Sequence, residues 1–544
     1  MARPPRNIQA TRGKATPVKQ ERSGTGAAVA PGSATPPDGR YVLRLSALRE
    51  TWLAIGLALL AAMASVTVGW LVFEHIPHTE DELAFYFQAK VFALGRLFVP
   101  APAEPAAFAA PFVIAHEGRW FGKYPPGHSL ALALGMLVDL PWLVNPVAGA
   151  LALFFVYRIG ALLYTPAIGV AAILLAITSP YYLIQSASFL AHPTALLATV
   201  LFVYGVLLRE RGAGLRWSIV AGLALGWLFL NRPVSAVAVA VPLALYVAWS
   251  TVRETGWRDL VPKLVRRHWL AALVFLPAPP LFVAYTTLLT GDPNRTPYEL
   301  VWAFDRYGFG PGIGSLGRHD LHLGRINTMD NVRALARDLF GWPFASSLLL
   351  LPLAPILPGR KAADWFMAGW ALAIVAFYAA YWSSGLMYGA RYYFEALPPL
   401  LFLTIRGALA LVAVLFALIG QPAPSSRHSA RVAYGILALL VAVNVVTYLP
   451  FHLARFRGWY GITRANLDAV ERAGIANALV FVAEANRSWD GYGSTFPANS
   501  PLLDSSVVFA MDRTPELNRA VAANFPRREL YHLRAGVLQP YRPG

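Results

Sequence analysis

Long apolar stretches separated by short polar segments recur along most of the chain. A helix that crosses a bilayer needs about 20 mainly apolar residues, and roughly eleven stretches approach that length. We predict spans near residues 51–73, 142–158, 166–183, 189–208, 217–233, 234–250, 269–290, 344–358, 363–382, 394–417 and 432–450. The pattern therefore predicts an all-α polytopic membrane protein.

Two long polar stretches, residues 74–126 and 291–343, interrupt the series of apolar segments. Directly after the first of them, residues 125–140 have a helical pattern of apolar positions. They are too few to cross a bilayer comfortably, because a span needs about 20 residues. We therefore predict that this segment forms a short helix that lies along the membrane face.

The last part of the chain has a different pattern, in which short apolar runs alternate with polar helical stretches. Short runs rich in β-branched and aromatic residues, bounded by polar ones, predict strands. They fall at residues 478–483, 506–511 and 529–533, with a helix predicted over 512–524. The pattern predicts a small α/β domain over residues 456–544, outside the membrane.

Residues 1–45 contain no apolar segment and are rich in Arg, Lys, Pro, Gly, Ala, Ser and Thr. Segments of this composition cannot bury enough apolar surface to fold. We predict a disordered basic tail in the cytoplasm. A transmembrane domain over residues 46–455, which contains both long polar stretches, and the α/β domain complete the predicted organisation.

Composition supports a membrane location. Hydrophobic residues make up 56% of the chain and charged residues 14%, whereas soluble domains average about 25% charged residues. Lipid can cover an apolar exterior that so few charges could not keep in solution. The absence of cysteine excludes disulfides, thiolate metal sites and cysteine nucleophiles.

The formal net charge is +17, a balance that in a soluble protein would suggest binding to nucleic acid. Here the basic residues lie between apolar spans, as in cytoplasmic loops, so we expect no nucleic-acid partner. A cytoplasmic N-terminus puts the following basic residues on one side: Arg158, Arg209, Arg211, Arg216, Arg253, Arg258, Lys263, Arg266, Arg267, Arg360, Lys361, Arg427 and Arg431. The polar stretches and the α/β domain then face the outside.

An acidic cluster follows the first predicted span and leads directly into an aromatic-rich amphipathic helix. The cluster comprises Glu74, His75, His78, Glu80, Asp81 and Glu82. Neighbouring carboxylates repel one another, which raises the pKa of at least one of them. A solvated loop is the simpler interpretation, but an acidic cluster that an aromatic helix holds at the membrane surface favours a functional site.

A second group of candidate residues surrounds Lys123, just ahead of the short helix predicted over 125–140. The backbone N–H groups and the dipole at a helix N-terminus favour an anion, and a Lys beside them suits a phosphate. Tyr124 and His128 belong to the same segment. The alternative is an interfacial Lys whose ammonium group reaches toward water.

Arg391 lies in a predicted outer segment and so breaks the positive-inside pattern. Beside Tyr392 and Tyr393, its guanidinium suits recognition of a phosphate or a sugar. A structural ion pair with Glu395, one helical turn away, explains Arg391 equally well. Four isolated residues are weaker candidates, for each of which packing or hydrogen bonding is the better explanation: Gln185, His192, Arg232 and His319.

In their order and spacing, the three clusters resemble the polytopic GT-C glycosyltransferases of the protein-O-mannosyltransferase and aminoarabinose-transferase type. That family has a cytoplasmic N-terminus, one span, a long outer loop with an Asp-Glu pair, and then a Lys-Pro-Pro or similar segment. This chain has Asp81-Glu82 and Lys123-Tyr124-Pro125-Pro126. Tyr124 is an insertion in the family segment, and Phe85 stands where the family has a Tyr. The resemblance covers about residues 50–450 and leaves out the C-terminal domain.

The resemblance implies an enzyme that takes a sugar from a polyprenyl-phosphate donor at the outer face of a bacterial cytoplasmic (inner) membrane. It implies that Asp81 is the general base, that Glu82 orients it, and that the anomeric carbon is inverted. Lys123 and Arg391, which the topology puts on the same membrane face as Asp81, would offset the phosphate charge. The other substrate-binding candidates are His78, Glu80, Tyr124, His128, His192, Tyr392, Tyr393 and Glu395. The C-terminal domain would be extracytoplasmic.

The expected partners are the lipid-linked donor, the membrane lipids and an acceptor whose class stays open. The acceptor hydroxyl belongs to a lipid, a glycan or a protein. No cofactor is expected to be required. His75, His78 and Glu80 offer imidazole and carboxylate groups that suit Zn²⁺, but we do not expect a required metal ion.

Two other classes of protein fit parts of the pattern. A transporter or lipid flippase would place ionisable groups near the membrane midplane and show internal repeats. Arg406, within a predicted span, is the one residue that favours this class. A non-catalytic scaffold that presents the C-terminal domain would leave Asp81 in open solvent, away from Lys123 and Arg391.

Overall fold

The computed structural model describes residues 45–419, 426–483 and 490–542, and all of them belong to one compact unit, Leu43–Gly544. Helices dominate this part of the chain, and the strands within it form small sheets. Residues 1–44 of the predicted tail lie outside the described residues. The disorder and the location of the tail therefore stay predictions.

The first half of the described chain consists of helices, with three short strands between the second and the third of them. The helices are α1 (Leu45–Phe73), α2 (Glu80–Ala93), α3 (Pro126–Met136), α4 (Val144–Leu163), α5 (Pro166–Ile177), α6 (Pro180–Ala187), α7 (His192–Glu210), α8 (Arg216–Asn231), α9 (Pro233–Thr255), α10 (Leu260–Phe275), α11 (Ala278–Thr290) and α12 (Pro297–Val301). The strands β1 (Val99–Pro100), β2 (Val113–His116) and β3 (Arg119–Gly122) form an antiparallel sheet in the order β1-β3-β2. The predicted short helix after the first polar stretch corresponds to α3, which has 11 residues.

The second half continues the bundle and ends in a larger sheet. The helices are α13 (Leu321–Asp338), α14 (Leu353–Ile356), α15 (Ala362–Ala379), α16 (Leu397–Leu418), α17 (Ser426–Val443), α18 (Leu449–Ala454), α19 (Ala465–Ala473), α20 (Asp490–Gly493) and α21 (Pro515–Ala523). The strands are β4 (Gly310–Pro311), β5 (Arg318–His319), β6 (Ala478–Val482), β7 (Val507–Met511), β8 (Glu529–Arg534) and β9 (Val537–Pro540). A 3-10 turn, Arg391–Ala396, leads directly into α16.

Eight helical segments among the described residues are long and apolar enough to cross a membrane. They are Arg49–Phe73, Pro141–Leu163, His192–Glu210, Pro233–Thr255, Trp257–Thr290, Ala362–Ala379, Arg391–Leu418 and Arg427–Gly461. The pair α5 and α6, which is bent by 69° at its break, makes a ninth if it is counted as one span. The chain is therefore a multi-pass membrane protein, while the direction in which its helices cross stays a prediction.

Two of the predicted spans differ from the structure. Span 217–233 corresponds to α8, which has only 16 residues. The prediction of a span at 344–358 is wrong, because that segment contains a short 3-10 turn and the four-residue helix α14. Pro352 and Pro355 each remove a backbone donor, and Phe344 has a φ of 57°, in the left-handed region. Apolar composition without helical continuity explains the error.

Arg406, which lies within α16, is paired rather than isolated among apolar helices. Its guanidinium donates to the Asp364 carboxylate at 3.2 and 3.1 Å and to the carbonyl oxygen of Gly359 at 2.7 Å. Asp364 also accepts from the backbone N–H of Lys361 at 2.7 Å and so completes the first turn of α15. The pair joins α15 to α16, and this role accounts for Arg406 without a transport pathway.

The C-terminal residues form a four-stranded sheet in the order β7-β6-β8-β9. Strand β6 pairs in parallel with β7 and β8, whereas β9 returns antiparallel to β8. Every residue of β6 is buried, as suits the central strand of a parallel arrangement. The three predicted strands are confirmed to within one residue at each end, and α21 corresponds to the predicted helix. The domain boundaries stay predictions.

The C-terminal sheet region contacts helix α2 directly. Phe87 of α2 packs against Phe496, with the ring centres 5.7 Å apart. Lys90, near the end of α2, donates to the carbonyl oxygens of Pro497 and Asn499, the latter at 2.9 Å. Burial lowers the pKa of Lys90 to about 8. These contacts hold the C-terminal residues against the helix that carries Asp81 at its other end.

Candidate active site

Helix α2 begins with a capping box that fixes its first turn. Thr79 is the N-cap residue, and its hydroxyl accepts a hydrogen bond from the backbone N–H of Glu82 at 3.3 Å. The Glu82 carboxylate accepts in return from the backbone N–H groups of Thr79 and His78, at 3.0 and 2.8 Å. This arrangement satisfies N–H groups that the start of a helix leaves unpaired. Asp81 therefore belongs to a turn whose backbone is held on both sides.

Glu82 joins α2 to two distant segments and does not line the cavity beside Asp81. Its Oε1 atom accepts from the backbone N–H of Phe189 at 2.8 Å, and the Tyr388 hydroxyl donates to Oε2 at 3.3 Å. The residue is 1% exposed, and burial raises the pKa of Glu82 to about 7. A raised pKa is therefore present in the acidic cluster, but its cause is burial rather than mutual repulsion.

A cavity of about 800 Å³ lies where α2, the junction of α8 and α9, and the loops after α12 and α15 meet. Seven of the predicted site residues line it: Glu80, Asp81, Lys123, Tyr124, His192, Arg391 and Tyr392. They come from segments that are far apart in the sequence. The fold therefore brings the three predicted clusters to one place.

The Asp81 carboxylate has two partners in this cavity, a hydroxyl group and a cation. Its Oδ1 atom accepts from the Tyr124 hydroxyl at 2.5 Å and pairs with Nη1 of Arg391 at 3.1 Å. Burial alone would raise the pKa of Asp81, but Arg391, the Tyr124 hydroxyl and Lys123 together hold that pKa below its usual range. The lowered pKa means that Asp81 is an ionised carboxylate. Because it is only 8% exposed, it lies in a largely enclosed site.

Arg391 approaches Asp81 from the 3-10 turn that precedes α16. Its Nε atom donates to the carbonyl oxygen of Gly385 at 2.9 Å, which fixes the guanidinium beside the carboxylate. The alternative in which Arg391 pairs with Glu395 is wrong. The turn directs Glu395 to another cation, Arg232, whose Nε atom lies 3.2 Å from Glu395 Oε1.

Lys123 also has a partner that the sequence pattern does not suggest. Its Nζ atom lies 2.7 Å from Oδ2 of Asp305, and the lysine is 3% exposed. The rings of Phe112, Trp302 and Tyr298 surround the ammonium group, with centres at 4.3, 4.5 and 4.9 Å. Burial lowers the pKa of Lys123, and the attraction of Asp305 opposes that shift.

Asp305 is the main functional-site residue that the sequence analysis misses. Its Oδ1 atom accepts from the Tyr381 hydroxyl at 2.7 Å and from the Trp382 indole N–H at 2.8 Å. These contacts join the second polar stretch to the loop after α15, and the pair with Lys123 joins both to the first polar stretch. A single Asp in a polar loop gives no periodic or spacing signal, so no pattern in the sequence identifies Asp305 as a site residue.

A second buried group of charges lies in the wall beside α9. Besides its pair with Glu395, Arg232 donates to the Tyr378 hydroxyl at 2.6 Å. The Ser235 hydroxyl donates to Oε2 of Glu395 at 3.2 Å, and Nδ1 of His192 lies 3.7 Å from Oε1. His192 lines the cavity, whereas Glu395 supports the wall from behind it.

Four predicted binding residues do not line the cavity: His78, His128, Tyr393 and Glu395. His128 is buried, with Nδ1 at 3.0 Å from the Thr194 hydroxyl and Nε2 at 2.8 Å from the carbonyl oxygen of Phe189. Burial lowers the pKa of His128 to about 4, so its ring is neutral. His78 is buried with its Nδ1 atom 2.9 Å from the carbonyl oxygen of Ile76.

The residues considered for a metal ion do not converge. The His75 ring stacks on Trp142 with the centres 4.4 Å apart, while Glu80 lines the cavity. Within residues 45–419, 426–483 and 490–542, no group of three or more His, Asp or Glu side chains could hold a metal ion.

The site combines an ionised carboxylate, fixed cations and aromatic hydroxyl groups inside a walled cavity. A carboxylate can take a proton from a hydroxyl group within about 2.6–3.2 Å. Guanidinium groups aimed at a developing negative charge stabilise it strongly where water is excluded. The arrangement can therefore couple removal of a proton from a hydroxyl group to the departure of an anion.

Comparisons with known proteins support the fold. No protein-family model matches the chain, and no curated protein matches it. ArnT from Cupriavidus metallidurans matches in two crystal structures, one bound to undecaprenyl phosphate and one apo. Each has a TM-score of 0.51 and 14% identity, over 89% of this chain and 89% of that chain.

An oligosaccharyltransferase from Archaeoglobus fulgidus matches with a TM-score of 0.48 and 13% identity, over 90% of this chain and 70% of that chain. The likeness to ArnT confirms the GT-C fold that the sequence predicts. At this level of identity it shows the fold alone.

Proposed function

We propose that this protein is a membrane glycosyltransferase that moves a sugar from a polyprenyl-phosphate donor to the hydroxyl group of an acceptor. The observation that carries the proposal is the Asp81 carboxylate, held by Arg391 and Tyr124 in the wall of a cavity of about 800 Å³. The fold shared with ArnT, which has been crystallised with undecaprenyl phosphate, supports the choice of donor.

In the proposed reaction Asp81 is the general base. Its carboxylate takes the proton of the acceptor hydroxyl, which must lie within about 2.6–3.2 Å. The hydroxyl oxygen bonds to the anomeric carbon of the sugar while the bond from that carbon to the phosphate oxygen breaks. The electron pair leaves with the lipid phosphate, and in-line attack inverts the anomeric carbon.

Arg391 links the proposed base to the proposed leaving group. Its guanidinium pairs with Asp81, and a phosphate in the cavity would compete for it, because charge-assisted bonds from Arg to phosphate are strong. A phosphate that draws Arg391 away raises the pKa of Asp81 and makes it a stronger base. Donor binding would therefore activate the carboxylate that the acceptor needs.

The other predicted residues take different parts in this proposal. Glu80, His192 and Tyr392 line the cavity and are proposed to contact the sugar or the acceptor. Lys123 adds positive potential for the phosphate from within its aromatic enclosure. Glu82 orients Asp81 by fixing the first turn of α2. No cofactor takes part.

We propose that the cavity opens at the outer face of a bacterial cytoplasmic membrane and that the C-terminal sheet is extracytoplasmic. The gathering of Lys and Arg in alternate loops supports this orientation. The prenyl chain of the donor would then lie among the apolar helices. The acceptor class stays open between a lipid, a glycan and a protein.

The two alternative classes of protein each depended on the environment of one side chain. A transporter or lipid flippase rested on Arg406, which is paired with Asp364. A non-catalytic scaffold required Asp81 in open solvent, whereas Asp81 is 8% exposed and lines the same cavity as Lys123 and Arg391.

Mass spectrometry of cell-envelope lipids, glycans and glycoproteins, with and without the gene, tests the proposal. We expect deletion to remove a glycosyl group from one defined class of molecule, which would also identify the acceptor. Unchanged glycosylation in the deletion strain, under conditions in which the parent strain produces the protein, would contradict the proposal.

A further inference from the structure

A second guanidinium group, that of Arg232, faces the cavity beside Arg391. Arg232 lies at the junction of α8 and α9, with φ −145° and ψ 83°, which are not helical values. Pro233 follows it, and a residue before proline is disfavoured in the helical region. The break between the two helices therefore places Arg232 in the cavity wall instead of along a helix face.

The Arg232 side chain is fixed but not fully occupied. Its Nε atom pairs with Glu395 at 3.2 Å, and Nη2 donates to the Tyr378 hydroxyl at 2.6 Å. In the part of the chain that the structure describes, Nη1 has no hydrogen-bond partner. The side chain is 12% exposed, so the cation is held in place with one nitrogen still available to a ligand.

Arg232 and Arg391 both lie close to one aromatic ring, that of Tyr392. The guanidinium carbon of each lies 5.3 Å from the centre of the Tyr392 ring. The two carbons are therefore no farther apart than twice that distance. Arg391 uses Nη1 for Asp81 and Nε for the carbonyl oxygen of Gly385, so it too keeps N–H groups for an anion.

Lys123 is less suited to direct contact with a ligand than either arginine. Asp305 lies 2.7 Å from its ammonium nitrogen, and three aromatic rings enclose it. The ammonium group has further N–H donors, but the three rings and the 3% exposure of the side chain leave a phosphate little access to them. Moving Lys123 away from Asp305 would leave a buried charge unpaired, which is costly. Arg232 can reach an anion without giving up Glu395.

We propose that Arg232 and Arg391 form a two-guanidinium clamp for the donor phosphate, with the Tyr392 ring in contact with both cations. This inference rests on the proposed function and makes Arg232, rather than Lys123, the second residue in direct contact with the phosphate. A planar guanidinium offers paired N–H donors that match phosphate oxygens. Glu395 balances the charge of Arg232, while the hydrogen bond to the Tyr378 hydroxyl holds the arginine side chain in place. Lys123 instead holds Asp305 and the second polar stretch.

The test measures phosphate preference in the full-length protein purified in detergent. Two probes with the same chain, undecaprenyl phosphate and undecaprenol, are compared by their dissociation constants, so that their ratio isolates the phosphate. We expect the wild-type protein to prefer the phosphate. Because removing Arg232 alone would leave Glu395 buried and unpaired, the variant is the double substitution Arg232→Gln with Glu395→Gln.

The matched control is Glu395→Gln alone, which removes the same ion pair but keeps the Arg232 cation. We expect this control to keep the wild-type preference and the double variant to lose it by about ten- to a hundredfold, as for one lost charge-assisted contact. Arg232→Lys with Glu395→Gln should recover part of the preference. Circular dichroism checks that each variant is folded.

Wild-type preference in the double variant, or an equal loss for both probes, would overturn the inference and leave the proposed function standing. No preference in the wild-type protein would overturn the inference together with the proposed donor. An equal loss of phosphate preference in the Glu395→Gln control and in the double variant would also overturn the inference. It would show that the ion pair, and not the Arg232 cation, determines phosphate binding.

Discussion

The Nη1 atom of Arg391 lies 3.1 Å from Oδ1 of Asp81, so the carboxylate proposed as the base already forms an ion pair with a cation. The Tyr124 hydroxyl donates to the same oxygen at 2.5 Å. Although burial would raise the pKa of Asp81, these contacts hold it below its usual range. Asp81 is therefore ionised at neutral pH, and its strength as a base depends on what else Arg391 contacts.

Replacing Arg391 by Gln should move the acid limb of the pH–rate profile upward. The charge of Arg391 is the largest influence that lowers the pKa of Asp81, so without it the effect of burial raises that pKa. Activity is lost as the pH falls through that pKa, because protonated Asp81 cannot accept a proton. Transfer rates from about pH 4 to 8, around the ordinary range for carboxyl groups, measure the shift.

Arg333→Gln is the matched control for this shift, since Arg333 is exposed on α13 and does not line the cavity. Its profile should overlay that of the wild-type protein. A reduced rate for Arg391→Gln with an unmoved acid limb would mean that Arg391 does not control the pKa of Asp81.

Lys123 and Asp305 should behave as a coupled pair in stability measurements. Lys123→Met or Asp305→Asn leaves one buried charge without its partner, which costs about 3–5 kcal/mol. The double substitution removes both charges, and the Asn oxygen can still accept from Tyr381 and Trp382, so it should cost much less than the two single losses combined. Thermal unfolding in detergent measures all four proteins. Additive losses would show that the two side chains do not interact.

Glu82→Gln should destabilise the protein without changing the residues that line the cavity. Backbone N–H groups donate to both oxygens of Glu82, those of His78 and Thr79 to Oε2 and that of Phe189 to Oε1. Gln replaces one of these oxygens by an NH2 group, which cannot accept a hydrogen bond. We expect a loss of about 1–3 kcal/mol and a lower transfer rate, because the turn that carries Asp81 loosens. Glu471→Gln, on the exposed part of α19, should stay within about 0.5 kcal/mol of the wild-type protein. Equal unfolding temperatures for the two variants would rule out this role.

Gly385→Ala should impair transfer through Tyr392. Gly385 has a φ of 63°, and an added Cβ would lie 2.2 Å from Cε2 of Tyr392, so the ring that contacts both arginines must move. Gly312→Ala is the control, because Gly312 has a similar φ of 75° but no atom within 4 Å of an added Cβ. Both variants share the backbone strain, and only the first should lose activity. Similar transfer rates for the two variants would mean that the position of the Tyr392 ring does not affect transfer.

Much of the site follows from the sequence because each cluster carries its own local signal. The acidic residues before α2, the Lys123 segment and the misplaced basic charge of Arg391 each stand out from their surroundings. Their common membrane face follows from the orientation predicted by charge. Asp81, Lys123 and Arg391 do line one cavity, while the membrane face at which that cavity opens stays a prediction.

The pairings between these residues could not be predicted, because they depend on contacts between distant segments. Asp305 lies more than a hundred residues from Lys123 and has no motif around it. Spacing along a helix suggests that Arg391 pairs with Glu395, but the 3-10 turn directs one to Asp81 and the other to Arg232. Prolines within 344–358 likewise end a helix that apolar composition alone predicts.

The most direct test of the account is rescue of the deletion strain by Asp81→Asn. Asn keeps the size of the side chain but cannot act as a base, so we expect the missing glycosyl group to remain missing although the variant reaches the membrane. Asp139→Asn is the control, since Asp139 is exposed and outside the cavity, and it should restore the group fully. Full restoration by Asp81→Asn would contradict the central claim that this carboxylate is the catalytic base.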